Sequence, residues 1–254
     1  MAEIAAPVAP RPAATVLLLR DGTDAAGAAS VQVLMLARHA ALKFAAGALV
    51  FPGGSIDPGD GAIATDPTLC ARCDTPPAEA ARRVAAIRET WEEAGILLAR
   101  PQPAAVSRGG DLAQALRAAG LRLAPDLLLP FAHWITPRPM PRRFDTYFYL
   151  ARAPAGQLAA ADGGESVAAT WMSPREAVAL AEAGQPMVFA TEMNLRLLAA
   201  LGATVDAVFA AAAARRIVTV LPEITTMPDG RLMRIPEEAG YGGSEFFARN
   251  PPAI

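Results

Sequence analysis

Cysteine is almost missing: 254 residues contain two, Cys70 and Cys73. That excludes a disulfide-stapled secreted scaffold and fits a reducing compartment. Their Cys-x-x-Cys spacing is half of a structural zinc site. The chain offers only two histidines, His39 and His133, to complete it, and all four ligands would have to converge; the alternative is two incidental thiols. Long apolar runs are missing too: the most alanine-rich, around 207–214, is too short to span a membrane. No block rich in lysine or arginine occurs and the net charge is -2, which excludes binding to a nucleic-acid backbone as the main function. Single nucleotides and their conjugates remain candidate ligands. Residues 1–14 are rich in alanine and proline, without the basic-then-apolar order of a secretory signal. These absences predict a soluble cytoplasmic protein that acts on neither nucleic acid nor membrane.

With 53% apolar and 19% charged residues, the chain has a globular composition and enough length for one good-sized core. The pattern predicts a loose leader over 1–12, a single domain over 13–235 and a weakly ordered tail over 236–254. Strands are expected over 14–20, 31–38, 43–51, 96–98, 127–134, 144–151, 168–172 and 217–221, with a hairpin turning at Asp229-Gly230. Helices are expected over 77–94, over 111–119 between Asp111 and Gly120, after the Ser173-Pro174-Arg175-Glu176 cap, and over 191–216 with a break at Gly202. The stretch 59–75 is polar, bears glycine and lacks periodicity, so it reads as a loop. Between two strands, 136–143 carries three prolines and three arginines. That is a stiff connector suited either to gripping phosphate or to plain solubility.

The informative stretch is Arg88-Glu89-Thr90-Trp91-Glu92-Glu93-Ala94-Gly95-Ile96. On a helix, Ala80, Val84, Ile87, Trp91 and Ala94 fall on one core-facing stripe, and Glu89 and Glu93 lie at i, i+4 on the opposite face. Like charges there repel, and the last turn already faces the negative end of the helix dipole. One reading is a solvated acidic face. The other is a divalent cation among three carboxylates, an all-oxygen set suited to magnesium, manganese or calcium. Upstream, Gly53-Gly54 leaves a strand, as a tight turn or as a place where bare backbone approaches a ligand.

Together, the Gly53-Gly54 corner and Arg88 to Ile96 resemble the Nudix hydrolase signature: glycine, five residues, glutamate, seven residues, then Arg-Glu-U-x-Glu-Glu-x-Gly-U, with U apolar. The second half is complete except that Thr90 stands at an apolar position. In the first half Asp60 replaces glutamate, and 27 residues separate it from Arg88 instead of seven, an insertion over about 61–78. Glu79 falls one residue off the expected glutamate. Val50-Phe51-Pro52-Gly53-Gly54, the insertion, Ala86 to Thr90, Trp134 to Pro137 and Pro141 to Thr146 are similar to the branch that includes the mammalian peroxisomal coenzyme A diphosphatase, whose box is also split.

The resemblance implies an α/β/α sandwich around a mixed β-sheet, with extra C-terminal helices. It implies magnesium or manganese held by Glu89, Glu92 and Glu93 with the backbone carbonyl of Gly53, Glu89 serving as general base. The catalytic set it suggests is Glu89, Glu92 and Glu165, the last in a glycine loop before Trp171-Met172. Arg142, Arg143 and Gly54 become the substrate contacts, and Arg88 orients the carboxylates. The implied reaction is pyrophosphate hydrolysis in a nucleoside diphosphate linked to another moiety, coenzyme A or an acyl derivative first, by a protein that can pair as a homodimer. Two other classes stand beside it: a catalytically degenerate domain that senses a nucleotide-linked metabolite, and a helical interaction protein with an acidic face.

Overall fold

The run Ala13 to Leu19 is buried at every residue but Thr15, which a strand achieves only when both of its faces are covered. The computed structural model, which describes residues 8–42, 45–72, 74–104 and 106–249, places that run in its first strand. The elements in chain order are β1 (Arg11–Thr23), β2 (Ala29–Arg38), β3 (Leu49–Val50), β4 (Gly53–Ser55), α1 (Pro58–Thr65), α2 (Pro77–Ala94) and β5 (Ala99–Arg100). Then come α3 (Leu112–Ala119), β6 (Arg122–Leu123), β7 (Leu129–Ile135), β8 (Phe144–Arg152), β9 (Ser166–Met172) and α4 (Pro174–Glu182). Last are α5 (Phe189–Leu201), α6 (Val205–Ala213), β10 (Thr219–Val220), β11 (Glu223–Met227), β12 (Gly230–Arg234) and β13 (Glu245–Arg249).

Eight strands form one mixed sheet, in the order β10-β7-β8-β1-β2-β3 with β4 on β1 and β9 on β2. β1 runs parallel to β8 and antiparallel to β2 and β4. Alternation along the strands splits the core. Ala14, Val16, Leu18, Leu34, Leu36 and Tyr149 face Val84, Ile87 and Trp91 of α2 and Leu112 and Leu116 of α3. Leu17, Leu19, Val33, Met35, Phe148 and Leu150 face α4, α5 and α6 on the other side. The result is an α/β/α sandwich with its additional helices toward the C-terminus, as expected. Among the described residues no single helix is long and apolar enough to cross a membrane; the α5–α6 pair is bent by 105°.

Several expectations hold closely. α2 spans the predicted residues and ends at Gly95, whose φ of 72° suits glycine. Asp111 caps α3, accepting from the Gln114 amide at 2.7 Å, and Ser173 with Glu176 forms the reciprocal cap of α4. The helical stretch breaks at Gly202, and β11 and β12 form the hairpin at Asp229-Gly230.

Others need correcting. Part of the expected loop 59–75 is α1, opened by Pro58 and closed on itself by Asp60, which accepts from the Asp57 amide at 2.7 Å. Its glycines hid it from a propensity reading; packing against α2 holds it. The third strand shrinks to Leu49–Val50, and Lys43 and Phe44 lie outside the described residues. Residues 96–98 are not a strand: the Gln157 side chain, rather than a neighbouring strand, bonds both Leu97 N–H and C=O. The leader is not loose from residue 8 onward, since Pro12 C=O accepts from Ile56 N–H and Val8 C=O from Arg143. No zinc site forms among the described residues: His133 is bonded to Asp145 and Thr219, and Cys73 lies outside them.

The tail, too, belongs to the domain as far as residue 249. β13 pairs with β12, and Tyr241 donates to Asn194 Oδ1 at 2.9 Å while accepting from Trp134 Nε1 at 2.8 Å. Asn194 is fully buried and Trp134 nearly so. Tyr241→Phe strands both groups, a loss of roughly 2 kcal/mol. The expected outcome is a denaturant midpoint lowered accordingly at unchanged slope; an unmoved midpoint would detach residues 236–249 from the cooperative unit.

Candidate functional site

Three backbone features converge on the last turns of α2. β4 lies on β1 with Gly54 opposite Ala14, which brings Gly53-Gly54 against the helix. The Gly53 amide donates to Glu93 Oε2 at 3.0 Å. A Cβ on Gly54 would fall 2.4 Å from Glu89 Oε1, so this glycine serves a close approach to the Glu89 carboxylate and not a tight turn. Thr90, at the position expected to be apolar, is fully buried and donates to the Ala86 carbonyl at 2.7 Å, so its hydroxyl is satisfied within the helix.

Arg88 joins the interrupted halves. Its Nε and Nη2 donate to Asp60 Oδ1 and Oδ2 at 2.9 and 3.1 Å, and Nη2 also donates to the Ser55 carbonyl at 2.9 Å. Nη1 donates to Glu89 at 2.9 Å and Glu92 at 3.0 Å. Asp60 is buried, and the 27 residues between it and Arg88 include the rest of α1, the core residues Leu69 and Cys70 and the first turns of α2. Burial opposes the Arg88 charge, but its bonds to Asp60 and the fields of Glu89 and Glu92 raise its pKa overall. Glu79 does not enter the site; it bonds Arg82, Arg83 and the Tyr149 hydroxyl near the start of α2.

The solvated acidic face is overturned. Glu93 is 7% exposed, Glu89 is largely buried, and only Glu92 reaches well into solvent. Burial pushes the Glu93 carboxyl up to about 8, with Glu89 and Glu165 adding to it against the Gly53 bond and Arg38. Burial likewise pushes Glu89 up to about 7 despite Arg88. Among the described residues Glu93 has no ion-pair partner. Glu93 is desolvated without an ion-pair partner and Glu89 shares Arg88 with Glu92 and Asp60, so this all-oxygen pair fits a hard divalent cation. As they stand, no three acidic, histidine or cysteine side chains among the described residues are gathered to hold one: Glu89 and Glu92 turn to Arg88, and Glu93 to Gly53.

Glu165 reaches this end of α2 from the loop before β9, its side chain exposed and 3.5 Å from Arg38 Nη2. Arg38 went unnoticed in the sequence. It closes β2 beside a bulge against β9, which no residue pattern announces, and its Nε is buried without a hydrogen-bond partner. Arg142 is exposed on the β7–β8 connector. Arg143 is corrected: it is buried and donates to the backbone carbonyls of Thr136 and Val8, so it braces the connector instead of offering a grip on substrate.

The comparisons bear on this arrangement. A family model described as the NUDT19 Nudix domain matches residues 64–188. A NUDIX hydrolase crystal structure from Alicyclobacillus acidocaldarius is 30% identical, with a TM-score of 0.67 over 80% of this chain and 96% of that one. A Caenorhabditis elegans protein bearing the name nudix hydrolase 7 is 30% identical over 167 residues, 61% of this chain. The match spans about half, 50%, of that relative's length.

The raised carboxyls set a pH dependence. A folded-state pKa above the unfolded value means that the native protein binds more protons between the two. Stability is therefore fullest below the unfolded value and falls as pH climbs through about 7 and 8. In chelator, the denaturation midpoint should decline from pH 5 to pH 8, and Glu93→Gln should flatten that decline. An equal slope in the variant would refute the burial argument.

Proposed function

We infer substrate and mechanism from one premise: the chain belongs to the Nudix hydrolase superfamily. The reaction we propose is divalent-metal-dependent hydrolysis of the pyrophosphate linkage in a nucleoside diphosphate joined to another moiety. Coenzyme A or an acyl-coenzyme A is the first substrate, supported by the NUDT19 model match and by the split box that this chain shares with the coenzyme A diphosphatase branch. Products would be a phosphopantetheine and an adenosine bisphosphate. Cysteine scarcity supports a cytoplasmic setting, and a homodimer is the assembly proposed.

The observation that carries this reading is Asp60 held on Arg88 across the insertion. A sensor with a broken box would be favoured by an Asp60 stranded away from α2, and it is not stranded. Glu89, Glu92 and Glu93, with the Gly53 carbonyl, would hold magnesium or manganese. When bound, such an ion neutralises phosphate oxygens and lowers the pKa of water. Arg88 restrains Glu89 and Glu92, limiting the rotamers they explore. Glu89, whose pKa burial pushes up to about 7, takes the proton of the attacking water on a carboxylate oxygen when it is ionised. Glu165 adds a carboxylate facing Glu93. Gly54 keeps backbone, not side chain, next to the reacting linkage, and Arg142 on its stiff connector grips an outer phosphate.

Product analysis with magnesium and a panel of coenzyme A, NADH, ADP-ribose and nucleoside triphosphates tests the assignment. Release of adenosine bisphosphate from coenzyme A is expected, with a loss of at least about a hundredfold in Glu93→Gln. Retained turnover in that variant would sink the mechanism, and well-folded, metal-loaded protein inert on every compound would favour the sensor.

Gly54→Ala separates site from scaffold. The added methyl meets the far end of a flexible side chain, so Glu89 moves and the fold does not. Turnover should fall about tenfold or more while the midpoint stays within roughly 1 kcal/mol. A variant as active as the parent would remove Gly54 from the site.

A further inference from the structure

α2 ends on Glu89, Glu92 and Glu93 with no basic residue in its last turn, the arrangement least favoured by the helix dipole. The positive charge arrives from elsewhere. Arg108, half-buried in the segment between β5 and α3, reaches the end of α2 and spans two chain segments there. Its Nη1 donates to the Ala160 carbonyl at 2.7 Å and to the Glu93 carbonyl at 3.4 Å, and its Nη2 donates to the Ala161 carbonyl at 3.1 Å. The Ala160 amide donates in turn to the Ala94 carbonyl at 3.0 Å. Gly95 lets the guanidinium lie close: a Cβ there would sit 3.3 Å from Arg108 Nε. Val106 packs on the core and anchors the segment.

The loop so fastened is the one that delivers Glu165. Four residues beyond Ala161, the Glu165 amide donates to Asp162 Oδ2 at 3.1 Å, and its carbonyl accepts from His39 N–H at 2.8 Å. Arg38 meets the Glu165 carboxylate from the other side.

We propose that Arg108 is a positioning residue: its guanidinium fork ties the Glu165 loop to the end of α2 and so fixes the placement of Glu165 relative to Glu93. The proposal rests on the metal-site reading given above. Arginine matters here for its planar fork as much as for its charge, because three carbonyls on two segments must be met at once. Lysine would restore the charge beside the dipole without the geometry.

Arg108→Ala, Arg108→Lys, Glu165→Gln and the Arg108→Lys/Glu165→Gln double variant test it in the full chain, by Mn2+ titration and by amide exchange at Ala160. Both Arg108 variants should weaken Mn2+ binding about tenfold, the scale seen when groups supporting ligands are removed. Both should speed Ala160 exchange about tenfold while β1 amides stay protected. Glu165→Gln on top of Arg108→Lys should weaken Mn2+ little further, since the two act as one unit. If Arg108→Ala unfolds, Arg108→Lys carries the test alone. Wild-type behaviour of Arg108→Lys in both measurements, or full additivity with Glu165→Gln, overturns the proposal. Wild-type protein that binds no Mn2+ overturns the metal-site reading instead, and Ala160 exchange then decides the role of Arg108 by itself.

Discussion

The bonds from Arg88 to Asp60 and to the Ser55 carbonyl hold the site together. One guanidinium, 11% exposed, spans the exit of β4, the first turn of α1 and the acidic end of α2. A charge so placed costs free energy unless it is paired and hydrogen-bonded, and Arg88 is both. Removing Asp60 would leave it facing Glu89 and Glu92, with mainly apolar packing to hold α1 against α2. The insertion is tolerated because it lengthens only the path between two ends already fixed, and closure entropy grows slowly with loop length.

Around that anchor, the fold concentrates negative charge where water is scarce. Trp91, Ala94 and Ile87 on the buried stripe press α2 onto the sheet, and β4 closes over its flank with two residues that lack side chains. Glu93 is thereby desolvated with one amide for company, and Glu89 shares Arg88 with Glu92. Such an arrangement stores electrostatic free energy that protonation or a cation releases. The dipole of α2 adds to the load, and besides Arg88, Arg108 and Arg38 bring positive charge to it from remote parts of the chain.

Much of the scaffold was legible. α2 and its Gly95 stop, the Asp111 and Ser173 caps and the alternating strands follow from local rules of periodicity and capping, which act within a few residues. What escaped notice depended on partners far away in sequence. α1 has poor helix formers and stands by packing on α2; residues 96–98 look like a strand but have a glutamine side chain for a neighbour. The tail looked loose because Tyr241 finds its partners on α5 and β7. In the site, Glu89, Glu92, Glu93 and the Gly53-Gly54 corner could be read from spacing. Arg143 could not, since its exposed-looking proline-rich context concealed a guanidinium spent on backbone.

By itself, the sequence determined that three carboxylates share the end of one helix, that a glycine pair precedes them, and that the box is interrupted. Helical and strand periodicities dictate the first two whatever surrounds them; the interruption shows only against the family signature. Only the tertiary structure decided that Asp60 meets Arg88 across the interruption, that two of the three carboxylates are buried, and that Arg108 reaches the same helix end. Desolvation and long-range pairing are properties of what covers a residue, and no local pattern encodes the cover.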